Sequence, residues 1–227
     1  MVKADEINRE LRMLWKETID TEQWPATLRK LWPLQYQNFD TPTLVLVGMN
    51  PAYAKRDERI RQETQIEDTS ILLDENGSDK LCKEARFADA PYFHSFDSFI
   101  KDTPLKHWAH LDIFAVRETN QKLVRSALAL DNEKWTDFAE KQFGLFLDLL
   151  KQVKPPAIVV PNSYASHILC SRLGAGRMSP DHFCHHIRLD GLEVPIFFSG
   201  MLSGQHAMDV YSKERLIYQV RKVLRSL

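Results

Sequence analysis

Thr43–Pro51 reads TLVLVGMNP. The apolar part, Thr43–Gly48, is bounded by Pro42 and Gly48, is too short for an ordinary helix and lacks polar alternation. It reads as a strand buried on both faces, the kind that builds a parallel sheet covered by helices on both sides. Gly48 at its end lets the backbone approach a ligand closely. Pro51 stiffens the turn, and Asn50 then points a side-chain amide into the crevice beyond the strand. The same residues also describe a plain strand-exit turn capped by Asn.

Working outward, Trp108–Val116 and Pro156–Pro161 read as two further buried strands. His185–Leu189 and Leu192–Phe198 read as arms of a hairpin whose Asp190-Gly191 suits a type I′ turn. Helices are predicted over residues 4–20, by the stripe Ile7, Leu11, Leu14, Trp15 and Ile19, and in a shorter segment up to Leu31. Further helices are predicted over 134–151, 163–173, and in a last segment capped by Ser212. Residues 50–105 show no clean period; short helices or a lid are expected there. Strands alternating with helices predict an α/β fold, a three-layer α/β/α sandwich around a short, mainly parallel four-stranded central sheet. No repeat or linker divides the chain, so residues 1–227 read as one domain, with 1–40 an N-terminal helical extension packed on it.

The chain has 227 residues, 30 Lys+Arg, 31 Asp+Glu and a net charge of −1. That length supports a core without disulfides or metal. Cys82, Cys170 and Cys184 lie far apart and suggest no disulfide framework, so a cytoplasmic setting is expected. No apolar run spans a bilayer, no signal peptide is expected at the acidic, Trp-containing N-terminus, and no membrane partner is expected. Near-neutral charge excludes a strongly basic, non-specific polyanion binder. No Walker phosphate loop, dinucleotide Gly-turn or nucleophile elbow is present.

In parallel sheets ligands bind beyond the carboxyl ends of the strands. That directs attention to Gly48–Tyr53, Asp112–Asn120, Asn162–Ser163 and Ser199–His206. The last is a small, polar loop, Ser199-Gly200-Met201-Leu202-Ser203-Gly204-Gln205-His206, before the final helix. It can hold phosphate through backbone N–H groups and Ser203, or simply connect two elements.

A Gly-Met-Asn-Pro turn after the first strand, paired with a Ser-Gly loop after the last, resembles the uracil-DNA glycosylase superfamily, in its mismatch-specific and single-strand-selective branches. The element order fits from about residue 40 onward; the motifs themselves cover some fifteen residues. The resemblance implies that Asn50 orients the attacking water. An amide takes no proton at neutral pH, so catalysis would depend on stabilising the departing base, with Gly48 and the Met49 backbone among the catalytic groups. It implies base binding by Pro51, Tyr53, Phe93 (or Phe96) and Asp112, and DNA binding by Ser203, Gly204, Gln205 and His206. The expected activity is hydrolysis of the N-glycosidic bond of a flipped, damaged or mismatched base. The other reading is a non-catalytic nucleic-acid or nucleobase-binding protein that keeps the pocket, and a third class is a nucleotide-binding α/β domain with no DNA role.

Two departures from the superfamily pattern stand out. Met201 and Leu202 occupy the second motif, where a His or Asn is usual, and neither can donate a hydrogen bond. Asp112 stands where an amide would read the base. An ionised Asp accepts only, which suits an amino-bearing edge better than uracil O4. Asp112 could equally be a structural carboxylate capping the next turn or pairing with Arg117.

No metal or cofactor is expected. His182, Cys184 and His186 alternate on a strand and read as one polar, solvent-facing side. Three dispersed cysteines cannot ligate an iron–sulfur cluster. The expected partner is DNA, held weakly through a single flipped base, or a nucleobase-containing ligand, with the protein a monomer. Residues 201–227 hold 5 basic and 2 acidic residues, so the charge near the second motif is mildly positive.

Overall fold

The structure is a computed structural model that describes residues 1–21, 24–25, 28, 33–51, 93–181, 183–203 and 207–226. The short helix expected up to Leu31 and most of the 50–105 stretch lie outside the described residues. Along the chain run α1 (Asp5–Thr21), β1 (Thr43–Gly48), a 3-10 turn (Phe93–Ser95) and α2 (Asp97–Ile100). Then come β2 (His107–Asp112), α3 (Gln121–Ala127), α4 (Asp137–Val153), β3 (Ile158–Pro161) and α5 (Ser163–Arg172). The hairpin β4 (His185–Leu189) and β5 (Leu192–Ser199) precedes α6 (Val210–Arg225).

The sheet order is β2-β1-β3-β5-β4. The first four strands in that order run parallel, and β4 is antiparallel to β5. The sheet therefore has five strands, one more than expected. The reason is the hairpin: Asp190 (φ 48°) and Gly191 (φ 79°) both take positive φ, as a type I′ turn demands. The His185–Leu189 arm then folds back to pair along β5 and adds a strand at that edge.

Alternation along β1 sorts the helices into two layers. Val45 and Val47 face a core shared with α1, α4 and α5, including Leu11, Trp15, Phe146 and Leu169. Leu44 and Leu46 face a second core with Phe96, Phe99, Leu202, Val220 and Leu224. All six residues of β1 are buried, which is why the sequence shows no polar alternation there. Each of the side chains Leu44, Val45, Leu46 and Val47 contributes roughly 1.5–3 kcal/mol by leaving water. The N-terminal segment is tied in as well. Asn8 bonds the Tyr36 backbone in both directions at 2.8 Å, and Val2 bridges Phe39.

Helix ends follow capping chemistry more closely than hydrophobic stripes. α4 starts after Thr136, whose side chain accepts from the Ala139 N–H, and ends at Lys154 in the left-handed region. The predicted window, 134–151, starts three residues early and stops two short. α3 was not anticipated; at seven residues it carries too short a stripe. α6 is capped by Asp209 and not by Ser212, because the Asp209 carboxylate accepts from both the N–H and the hydroxyl of Ser212. β2 ends at Asp112 and not Val116, since β1 offers no ladder partner beyond Gly48. Cys184 also departs from expectation. It is 1% exposed and packs in the second core, and burial pushes its thiol pKa up.

Arg172 of α5 lies over the Trp135 ring, 3.6 Å from its centroid, and pairs with Glu140 of α4. The pair is partly exposed and screened. Arg172→Ala is expected to lower stability by about 1 kcal/mol, read from the urea midpoint. Arg172→Lys should recover less than half, since an ammonium lacks the planar stacking face.

Candidate functional site

The parallel register aligns the strand ends. Gly48 pairs with Asp112, and Pro161 with Ser199. Beyond the ladder the two chains stay together: Ile113 N–H donates to Gly48 O, Phe114 N–H to Met49 O and Glu118 N–H to Pro51 O, at 2.9–3.0 Å. The Gly48-Met49-Asn50-Pro51 turn is thus laced to residues 113–118.

Asn50 sits inside this lacing. Its Nδ2 donates to the carbonyls of Glu118 (2.6 Å), Val116 (3.2 Å) and Pro51 (3.3 Å). Three carbonyls on one side fix which end of the amide is nitrogen. Its Oδ1 is buried and has no hydrogen-bond partner among the described residues. A buried acceptor without a partner is costly and uncommon. Half of this side chain is a structural clamp, and the other half is a buried acceptor left unsatisfied among the described residues.

Over Gly48 the structure departs from the expected use of glycine. A Cβ there would lie 2.2 Å from Asp112 Oδ1 and 3.0 Å from His110 Nε2. The missing side chain makes room for the protein's own carboxylate and imidazole rather than for a ligand. Both groups are buried, with Asp112 Oδ2 3.8 Å from His110 Nδ1.

A recess opens here, lined by Leu34, Gln35, Tyr36, Pro51, His110, Asp112 and Ala115. Its enclosed volume is about 10 Å³, the room one water needs. With its open mouth the void reaches about 220 Å³, below the usual range for drug-sized ligands. Tyr36 reaches it from the N-terminal segment and donates its hydroxyl to the Asp112 backbone carbonyl at 3.1 Å.

Of the residues expected to bind a base, Pro51 and Asp112 meet in this recess. Phe93 stands behind it: its ring packs edge-on to His110 at 5.3 Å and stacks on Trp108 at 6.3 Å. Phe96 is fully buried beneath them. Tyr53, Gly204, Gln205 and His206 lie outside the described residues. Ser203 is half-buried in the second loop, which is closed by a bridge between Met201 and Ala207. Leu202 is 3% exposed and belongs to the second core. That residue of the second motif is therefore a packing residue, which accounts for its apolar character. Met49 is also buried, at 1% exposure. Tyr36 and Gln35 were not anticipated, and His110, flanking an aromatic segment, reads from sequence equally as a packing or capping residue or as a catalyst. His110 did carry a signal, since it shares a β2 face with Asp112 by the period of two.

The end of β3 carries a separate polar cluster. Asn162 caps α5 by accepting from the Ala165 N–H at 2.9 Å. Tyr164, two residues on, donates to Asp131 at 2.8 Å, and Arg125 grips the same carboxylate with two nitrogens while lying over the Tyr164 ring. These bonds hold the Asp131 pKa down. Desolvation, then the bond to Asp131, pushes Tyr164 up to about 12. A raised folded pKa favours the neutral phenol, so its contribution is complete below the unfolded value near 10 and is lost as pH rises toward 12. Tyr164→Phe is expected to flatten the fall in stability across that alkaline window, as followed by urea unfolding at each pH.

Among the described residues no three His, Cys, Asp or Glu side chains converge as a metal site. Among them also, no helix is long and apolar enough to cross a membrane. Comparison with models of known protein families gives no match, and comparison with curated proteins gives none.

Proposed function

We propose that the chain is a glycosylase-type hydrolase that cleaves the N-glycosidic bond of a base presented by DNA. The observation that carries this reading is Asn50. Its nitrogen is fixed by three carbonyls, and its buried oxygen is left as a preorganised acceptor. The Asn50 oxygen accepts a hydrogen bond from the attacking water and aims it at the sugar carbon. It takes no proton, so cleavage depends on stabilising the departing base. The base edge lies across the mouth of the recess, whose interior has room for one water, against Pro51, Tyr36 and His110. The Asp112 carboxylate accepts from an exocyclic amino group, which favours an amino-bearing base over uracil. A cytosolic setting accords with Cys170 and Cys184 as free thiols.

A second reading, base binding without cleavage, is favoured by one observation. Leu202, in the second motif, is turned into the core and offers no donor to a departing base. Wild-type protein incubated with oligonucleotides carrying single mismatched adenine, cytosine, uracil or hypoxanthine separates the two. Abasic product from an amino-bearing base supports the hydrolase. Retention of such an oligonucleotide with no abasic product supports the binder.

A further inference from the structure

Helix α6 carries an exposed stripe that neither core nor recess uses. Tyr211, Arg215, Tyr218 and Lys222 fall at i, i+4, i+7 and i+11, all on one exposed face. Tyr211 is 78% exposed and Tyr218 61%, among the most exposed large side chains described. The opposite face is committed, with Val220, Val223 and Leu224 buried. Within Val210–Arg225 stand Lys213, Arg215, Arg221, Lys222 and Arg225 against one carboxylate, Glu214, on a chain whose total is −1. The acid at the helix start, Asp209, is engaged in capping Ser212.

Exposed aromatic rings interleaved with cations are the surface that single-stranded nucleic acid uses, since every base has a face to stack and every nucleotide a phosphate. A protein partner would leave this excess of cations needing matched carboxylates, whereas a phosphate backbone supplies the opposite charge at each step. Seven residues of helix separate the two rings by about 10 Å, so they make two successive platforms flanked by Arg215 and Lys222. The exposed Lys222 ammonium keeps its charge while donating one hydrogen bond to the Asp181 carbonyl. The start of α6 follows the carboxyl end of β5, and the recess lies beyond the carboxyl ends of β1 and β2, strands that run parallel to it in the same sheet. We infer that the Tyr211–Arg215–Tyr218–Lys222 face of α6 is a docking track for single-stranded DNA. It rests on the nucleic-acid reading of the neighbouring site but requires no chemistry there.

The probe is an undamaged single-stranded oligonucleotide of mixed sequence, with fluorescence anisotropy read as a function of salt. Wild type should bind it more tightly than the same sequence as a duplex, with affinity falling as salt rises. Tyr211→Ala/Tyr218→Ala should weaken binding by about 10- to 100-fold with little change in salt slope. Arg215→Ala/Lys222→Ala should weaken it and reduce the slope by about 1.4, roughly 0.7 for each phosphate contact on a single strand. Both pairs are exposed, and circular dichroism checks that they fold. Lys141→Ala, an exposed cation on α4 in the other helix layer, should bind the probe as wild type does, which separates this face from general surface charge. Loss of base release with the binding pattern intact leaves the track standing. Unchanged affinity in the tyrosine variant, preference for duplex, or no wild-type binding overturns it.

Discussion

Gly48→Ala should lower the melting temperature by about 6–12 °C, the equivalent of roughly 3 kcal/mol for a chain of this size. The added Cβ would fall 2.2 Å from Asp112 Oδ1 and 3.0 Å from His110 Nε2. Both neighbours are buried, and a carboxylate on one methylene has little reach with which to retreat. The strand cannot move either, since Gly48 O accepts from Ile113 N–H and β1 is paired on both sides. The clash names its own rescue. In a double-mutant cycle, Gly48→Ala with Asp112→Ala should show a coupling of about 1–3 kcal/mol, because the second change removes what the first collides with. A shift under 2 °C for Gly48→Ala alone would mean that Asp112 does not pack over the glycine.

Asp112→Asn should move base preference more than it moves stability. The substitution keeps shape and replaces one accepting oxygen with a donor. Preference between an amino-bearing base and uracil is expected to shift toward uracil by about 10- to 100-fold, the range that one reversed hydrogen-bond pair carries. Competition between two oligonucleotides in one reaction, with released bases counted by mass spectrometry, reads the ratio without depending on the amount of folded enzyme. An unchanged ratio would assign Asp112 a structural role, alongside Tyr36 and His110, and remove it from base recognition.

Much of this fold was legible in short stretches. TLVLVG announces its burial by lacking alternation, and Asp190-Gly191 announces a turn with two positive φ angles that the structure contains. That reading places the first strand's end correctly and sets the second's four residues late, at Val116 rather than Asp112; the parallel register then brings Gly48 and Asp112 to one edge. What escaped is what depends on distance along the chain. Tyr36 meets Asp112 across 76 positions, and no local period points there. The role of Gly48 was half legible. The need for a missing side chain is visible in sequence, but its occupant, the chain's own carboxylate rather than a ligand, is a tertiary fact. Leu202 shows the same limit: a loop residue judged by motif position turned out to be held by the core beneath α6.

The central claim is that the buried Asn50 oxygen orients the water that cleaves the N-glycosidic bond. Single-turnover release of free base by wild type and by Asn50→Ala, each corrected for its folded fraction at a temperature well below both melting points, tests it most directly. The account predicts measurable release by wild type and a fall of about 100- to 1,000-fold in the variant, the usual cost of removing one preorganised polar group. It also predicts a stability loss of about 1–3 kcal/mol from the carbonyls that Nδ2 leaves unpaired. Release at the wild-type rate per folded Asn50→Ala molecule, with only the stability loss observed, would contradict it.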